Sequence, residues 1–176
     1  MKVEGRLILV AGGVRSGKSV FAEQVIENSG SQFLYLATCR SYDEGMLKRI
    51  CTHKERRGPE WTTVEVGSNL FSGLDDLPAA DAVLLDCLPL WLSEKMFSNC
   101  ASDSEDLKGE LAAILRNLRC RYQHVVVVTA EVGMGVIPVT KLGRDFQDKL
   151  GELNQLVAKV ASEVYQVVMG LPQKLK

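Results

Sequence analysis

Near its N-terminus the chain reads Gly12-Gly13-Val14-Arg15-Ser16-Gly17-Lys18-Ser19, a glycine followed after four residues by Gly-Lys-Ser. These residue types at this spacing suit the binding of a phosphate chain. Glycines let backbone N–H groups curl round a β-phosphate, and a helix that starts where the loop ends adds its partial positive charge at the same point. Lys18 brings a mobile cation to the β- and γ-phosphates, and the hydroxyl of Ser19 can take one position around Mg²⁺. A glycine-rich turn that only caps a helix is the bland alternative. The context argues against it: Arg6 to Ala11 predicts a strand before the loop, and Val20 to Asn28, with Phe21, Val25 and Ile26 on one side, predicts a helix after it, with Gly30 as its stop. The expected nucleotide-binding residues are therefore Gly12, Gly13, Val14, Arg15, Ser16, Gly17, Lys18 and Ser19.

A carboxylate belongs beside such a loop. Ala82, Val83, Leu84 and Leu85 lead to Asp86 at the expected C-terminal end of a strand, where an acid would hold the Mg²⁺ shell together with Ser19. The alternative for Asp86 is an N-cap for the next helix. A second constellation spans Asp43 to Arg57 and ends at Gly58-Pro59, a strong stop, so one helix is expected there. Spacing by three and four puts Met46, Ile50, His53 and Arg57 on one side. A neutral imidazole at His53 could attack phosphorus and leave again, with Arg57, and Arg56 or Lys54, neutralising the phosphate under attack. Spacing alone favours the other reading, a packed, hydrogen-bonded histidine beside a solvated charge run. His124 precedes an apolar run and reads as structural.

Apolar runs of strand length alternate with helical periods along the chain. The strands expected are Arg6 to Ala11, Phe33 to Ala37, Thr62 to Val66, Ala82 to Asp86, Val125 to Thr129 and Val164 to Met169, six in all. Leu107, Leu111, Leu115 and Leu118 form one helical stripe, and Leu142, Phe146, Leu150, Leu153, Val157 and Val160 another. The class is α/β, a mainly parallel sheet flanked by helices. Ser98 to Asp106 reads as a surface loop with a helix start, and no linker or repeat divides the chain, so residues 1–176 are expected to form a single catalytic domain.

A net charge of −1 argues against a broad grip on nucleic acid or an anionic membrane, so any anion must be held locally. Met1 to Glu4 lack the order of a signal peptide, and no apolar run reaches the roughly 20 residues that span a bilayer, so a cytoplasmic location is expected. Five scattered cysteines, Cys39, Cys51, Cys87, Cys100 and Cys120, lack metal or dithiol spacing and read as reduced packing residues. Trp61 and Trp91 read as core or interface anchors, Gly133 and Gly135 as loop-shaping residues. Glu131 is either an acid that orients acceptor or metal or a solvated loop residue.

Taken together, these motifs resemble the bifunctional adenosylcobinamide kinase/adenosylcobinamide-phosphate guanylyltransferase family of cobalamin synthesis, from about the first strand to the C-terminus. The resemblance rests on Gly12 to Ser19, on Met46, Arg49-Ile50, His53 and Arg57, on Trp61, and on Leu84-Leu85-Asp86-Cys87-Leu88 with Leu90-Trp91-Leu92-Ser93. It continues through Glu131-Val132-Gly133-Met134-Gly135, Pro138, Gly151 and Asn154-Gln155. It implies a RecA-like P-loop NTPase fold, a kinase step on the aminopropanol hydroxyl of adenosylcobinamide, and a homotrimer with active sites near subunit contacts. It also implies that His53 accepts GMP from GTP and passes it to adenosylcobinamide phosphate, with pyrophosphate released. GTP and ATP would be substrates, Mg²⁺ the cofactor and a corrinoid the acceptor. The chain departs from the family pattern at Gly45, Pro89, Glu94 and Ala130, the last three near strand ends where acceptors bind in open α/β sheets. A P-loop kinase without a covalent intermediate and a non-catalytic nucleotide-binding subunit are the competing readings.

Overall fold

The computed structural model of the chain describes residues 4–38, 57–67, 70, 73–97 and 103–176. In chain order the elements are β1 (Arg6–Gly12), α1 (Lys18–Glu27), β2 (Phe33–Ala37), β3 (Trp61–Glu65), β4 (Ala82–Asp86), α2 (Leu88–Phe97), α3 (Ser104–Arg121), β5 (His124–Val128), α4 (Lys141–Val160), β6 (Glu163–Val168) and β7 (Leu171–Lys174). The strands form one sheet in the order β3-β2-β4-β5-β1-β6-β7. Every pairing is parallel except β6 with β7. This is the expected α/β class.

Continuous apolar strands demand cover on both faces, and the helices supply it unequally. On one face Ile8, Val10, Leu84, Val126 and Val128 pack with Ala22 and Ile26 of α1. On the other, Leu7, Leu9, Val83, Leu85, Val125 and Val127 meet Trp91 and Leu92 of α2, Leu107, Leu111, Leu115 and Leu118 of α3, and Leu150, Leu153 and Val157 of α4. The stripe expected on α3 is buried throughout. That on α4 is buried only in its middle, because Leu142 and Val160 at its ends are exposed.

Helix starts follow their caps. Asp103 accepts hydrogen bonds from the Glu105 and Asp106 N–H groups at 2.9 and 3.0 Å, and Thr140 Oγ1 accepts from Gly143 N at 3.1 Å. Gly30 is not a left-handed helix cap. α1 ends on Asn28, and a Cβ at Gly30 would lie 2.5 Å from Asp81 Cβ, so close approach of the Asp81 side chain is what demands glycine there. The Asp81 carboxylate accepts from the Ser31 and Gln32 N–H groups and lines β2 up with β4.

Three expectations need correction. The sheet has a seventh strand, β7, joined to β6 by the two-residue turn Met169-Gly170, with φ of +52° and +81° as a type I′ turn requires. Leu171-Pro172-Gln173-Lys174 is short, exposed and contains proline, which suits an edge strand and hides it from a search for buried runs. Cys120 is exposed on α3 and is not a packing residue, whereas the half-buried Cys87 packs against the core as expected; Cys39, Cys51 and Cys100 lie outside the described residues. Arg57 occupies a bend, so the expected helix does not reach it; the rest of Asp43 to Arg56 lies outside the described residues.

The two-faced core yields a direct stability prediction. Leu111 is fully buried at the contact between α3 and the sheet. Leu111→Ala should lower unfolding free energy by about 2–5 kcal/mol. Urea unfolding should show an earlier midpoint with an unchanged slope.

Candidate functional site

β1 delivers the chain to the C-terminal edge of the sheet at Gly12, and α1 begins at Lys18, so the glycine-rich segment is the turn between them. Its backbone is specialised. Gly17 has φ +92°, a conformation that favours glycine, and Arg15 has φ +57°. A Cβ at Gly12 would lie 2.5 Å from Ser16 Oγ and 2.7 Å from the Val167 carbonyl oxygen, closer than packed atoms tolerate. Ser16 N–H donates to Gly13 O at 3.2 Å, closing the loop on itself. Gly170 N–H, at the β6–β7 turn, donates to Ser16 O at 2.8 Å, so the edge hairpin missed in the sequence props the loop from outside.

The helix end is open to an anion. α1 has no side-chain cap and no acidic residue in its first turn, in contrast with the Asp103-capped α3. Its first N–H groups and dipole are thus left for a ligand. Lys18 Nζ donates to Gly13 O at 3.1 Å and lies over the loop. Ser16 Oγ is buried and has no hydrogen-bond partner among the described residues. Val14 and Arg15 are exposed, and Ser19 is half-buried in the first turn of α1.

Asp86 ends β4 in the row Asp86–Val128–Val10, two strand spacings, about 10 Å, from β1. Tyr35 O–H donates to Asp86 Oδ2 at 3.0 Å. Burial, then the charge of Asp86, pushes the Tyr35 phenol far above the ordinary tyrosine range, so it stays a neutral donor. The Arg57 guanidinium carbon sits 3.5 Å from the Tyr35 ring centroid, and Arg57 Nη1 donates to Thr63 Oγ1 at 3.2 Å. Just past Asp86, Thr38 Oγ1 accepts from Cys87 N–H at 2.8 Å and donates to Cys87 O at 2.7 Å, tying the exit of β4 to that of β2.

The donors available suit a hard cation. Ser19 offers a hydroxyl and Asp86 a carboxylate, and no group of three or more His, Cys, Asp or Glu able to hold a metal occurs among the described residues. Mg²⁺ is commonly held this way, by one or two protein oxygens with substrate phosphates and water.

His53 lies outside the described residues, as do Met46, Arg49 and Ile50. His124 opens β5 opposite Arg6, at the far end of a strand whose seven residues separate it from the loop by roughly 20 Å. Trp61 and Trp91 are both buried in the core. The Glu131 carboxylate accepts from Gly133 N–H at 2.8 Å and shapes its own loop. Of the departures from the family pattern, Pro89 falls in the first turn of α2, where proline is tolerated, and Glu94 is buried in α2. At Ala130 the backbone carbonyl accepts from Asn154 Nδ2 at 3.1 Å, while Thr129 Oγ1 donates to Asn154 Oδ1 at 2.6 Å. Tyr35, Thr38 and Asn154 had no assigned role in the sequence reading. The only available signal for Tyr35 was a polar tip on the face that Phe33, Tyr35 and Ala37 share.

Among solved structures, the chain is similar to the RadB recombinase, with TM-score 0.51 at 16% identity over 93% of this chain and 74% of that one; this likeness shows a RecA-like P-loop fold. In sequence it is 37% identical over 169 residues to the bifunctional adenosylcobalamin biosynthesis protein CobP of Pseudomonas aeruginosa, covering 96% of each chain. It is also 37% identical to the CobU proteins of Salmonella typhimurium and Escherichia coli, over 183 and 185 residues, covering 97% of this chain and 99% of each of them. Residues 8–175, beginning inside β1 and running past β7, match the model of one family. The phosphate loop at the end of β1 and this near-complete match agree: the chain belongs to the cobinamide kinase / cobinamide phosphate guanyltransferase family.

Proposed function

We propose that this chain phosphorylates adenosylcobinamide and then transfers GMP from GTP to adenosylcobinamide phosphate, with both donors held by the loop from Gly12 to Ser19. The observation that carries this reading is the uncapped start of α1 behind a glycine-rich loop, in a chain that matches the family along residues 8–175. In the first reaction the aminopropanol oxygen attacks the γ-phosphorus of ATP or GTP and the nucleoside diphosphate leaves. In the second an imidazole nitrogen of His53 attacks the α-phosphorus of GTP, pyrophosphate leaves, and a phosphate oxygen of adenosylcobinamide phosphate displaces the histidine to give adenosylcobinamide-GDP. One cradle can position a triphosphate for either attack, because little besides placement and charge compensation is asked of the protein.

The side chains divide that work. Lys18 offsets charge on the β- and γ-phosphates and on departing pyrophosphate, and Arg57 offsets charge on the α-phosphoryl oxygens. Ser19 and Asp86 would hold Mg²⁺, which would supply positive charge to offset that of the phosphates. The chain acts as one catalytic domain over residues 1–176, in the cytoplasm and as a homotrimer. Its partners are small molecules, a corrinoid and a nucleoside triphosphate. No helix among the described residues is long and apolar enough to cross a membrane.

Labelling distinguishes this from a kinase without a covalent intermediate. GTP labelled at the α-phosphorus should leave acid-labile, base-stable label on the denatured protein. His53→Ala should abolish the label while nucleotide binding, measured by calorimetry, survives. His124 is the only other histidine and sits at the far end of the sheet, so label persisting in that variant would contradict the assignment.

The loop itself makes a second prediction. The Cβ of Gly12→Ala would collide with Ser16 and the Val167 carbonyl. GTP affinity should fall at least about ten-fold in calorimetry, since the backbone donors are displaced from the phosphates. Lys18→Ala should slow both transfers, measured as kcat/KM for each.

A further inference from the structure

Two of the residues assigned above, Asp86 on the metal side and Arg57 beside the histidine segment, come from different parts of the chain and meet on a third. Tyr35 is 8% exposed in the middle of β2, with Leu84 of β4 and Thr63 of β3 as its register partners. Its hydroxyl reaches sideways and up to Asp86 Oδ2, its ring carries the Arg57 guanidinium, and Arg57 in turn bonds Thr63. A phenylalanine would fill the same space in this core. The polar tip and the charged lid over the ring are features that packing alone does not require.

Each contact limits a different motion. The O–H donated to Oδ2 fixes rotation of the Asp86 carboxylate about its Cβ–Cγ bond, and so fixes how that group addresses a cation. The ring face holds a guanidinium in a plane and at a height that the Thr63 hydroxyl then sets in azimuth. Arg57 follows His53 by four residues, so the end of that segment is anchored to the side chain that orients the metal-side acid. Cys87 N–H and O, both held by Thr38, keep the backbone beyond Asp86 from absorbing a change in the carboxylate.

We propose that Tyr35 is a positioning residue that sets Asp86 and Arg57 in one frame, so that cation binding and guanylylation of the histidine segment depend on a single side chain. The inference rests on the reading of Asp86 and Arg57 given under the proposed function. It predicts separable effects for the two ends of the tyrosine. Tyr35→Phe removes the hydroxyl and keeps the ring; Tyr35→Leu removes both.

The test is Mn²⁺ binding to the GDP-loaded protein, followed by the loss of the free-ion signal in electron paramagnetic resonance. Tyr35→Phe should bind Mn²⁺ about ten-fold more weakly than the parent, as loss of a partner that orients a ligand does. Label from α-labelled GTP should return to the parental rate at saturating Mn²⁺. Tyr35→Leu should show the same Mn²⁺ defect and, at saturating Mn²⁺, a further fall of about ten-fold in labelling rate. Asp86→Asn serves as the reference. If Asp86→Asn loses Mn²⁺ affinity and Tyr35→Phe binds as the parent does, the positioning role is overturned while the reading of Asp86 stands. If Asp86→Asn itself binds as the parent does, that reading fails and the role of Tyr35 falls with it. Should Tyr35→Leu not fold, as circular dichroism would show, Tyr35→Phe decides alone.

Discussion

Among the described residues no side chain caps the first turn of α1, and its backbone N–H groups face an open end. Gly17 enters the helix with φ +92° where α3 has an aspartate cap, and no acid occupies the first turn. Gly12 lacks the Cβ that would crowd Ser16, and the β6–β7 hairpin holds the Ser16 carbonyl from behind. An uncapped helix end costs stability unless an anion completes it. The remaining features follow from where that open end is placed.

The parallel sheet does the placing. With β1 central between β5 and β6, the loop emerges at the edge where β2, β4 and β5 also end. Asp86 is carried to that edge by β4, and the connection that contains His53 leaves from it at the end of β2. Among the described residues, α2, α3 and α4 on one face and α1 on the other make the strands rigid enough that Tyr35, Thr38 and Asn154 can act as struts between strand ends. Such struts matter because a displacement of about 1 Å at a phosphoryl-transfer site is expensive in rate.

Much of this was legible in the residues. The loop's spacing between an apolar strand and an amphipathic helix named its own fold, and the central strands announced themselves as Val- and Leu-rich runs. What escaped was governed by local geometry without a compositional mark. β7 is an exposed, proline-containing edge strand, and its turn places a methionine, Met169, at a positive φ that no turn signal predicts. Gly30 read as a helix stop and proved to be a site of close approach by Asp81. Cys120 read as a reduced packing residue for want of metal or dithiol spacing, although it sits on the exposed side of α3. Tyr35 was hidden in a strand whose other residues explain it as core, because a hydroxyl's destination depends on the register of β2 with β4 and not on its own neighbours in sequence.

The claim at the centre is that one phosphate cradle serves two transfers, of a γ-phosphoryl and of an α-nucleotidyl group. A GTP analogue with carbon bridges at both the α–β and β–γ positions can donate neither group and can only occupy the cradle. Its inhibition constant, measured against GTP as donor in the kinase and in the guanylyl-transfer reactions under the same Mg²⁺ concentration, tests the claim most directly. A single constant for both reactions is the result expected under the proposed function; two well-separated constants, or inhibition of only one reaction, would contradict it.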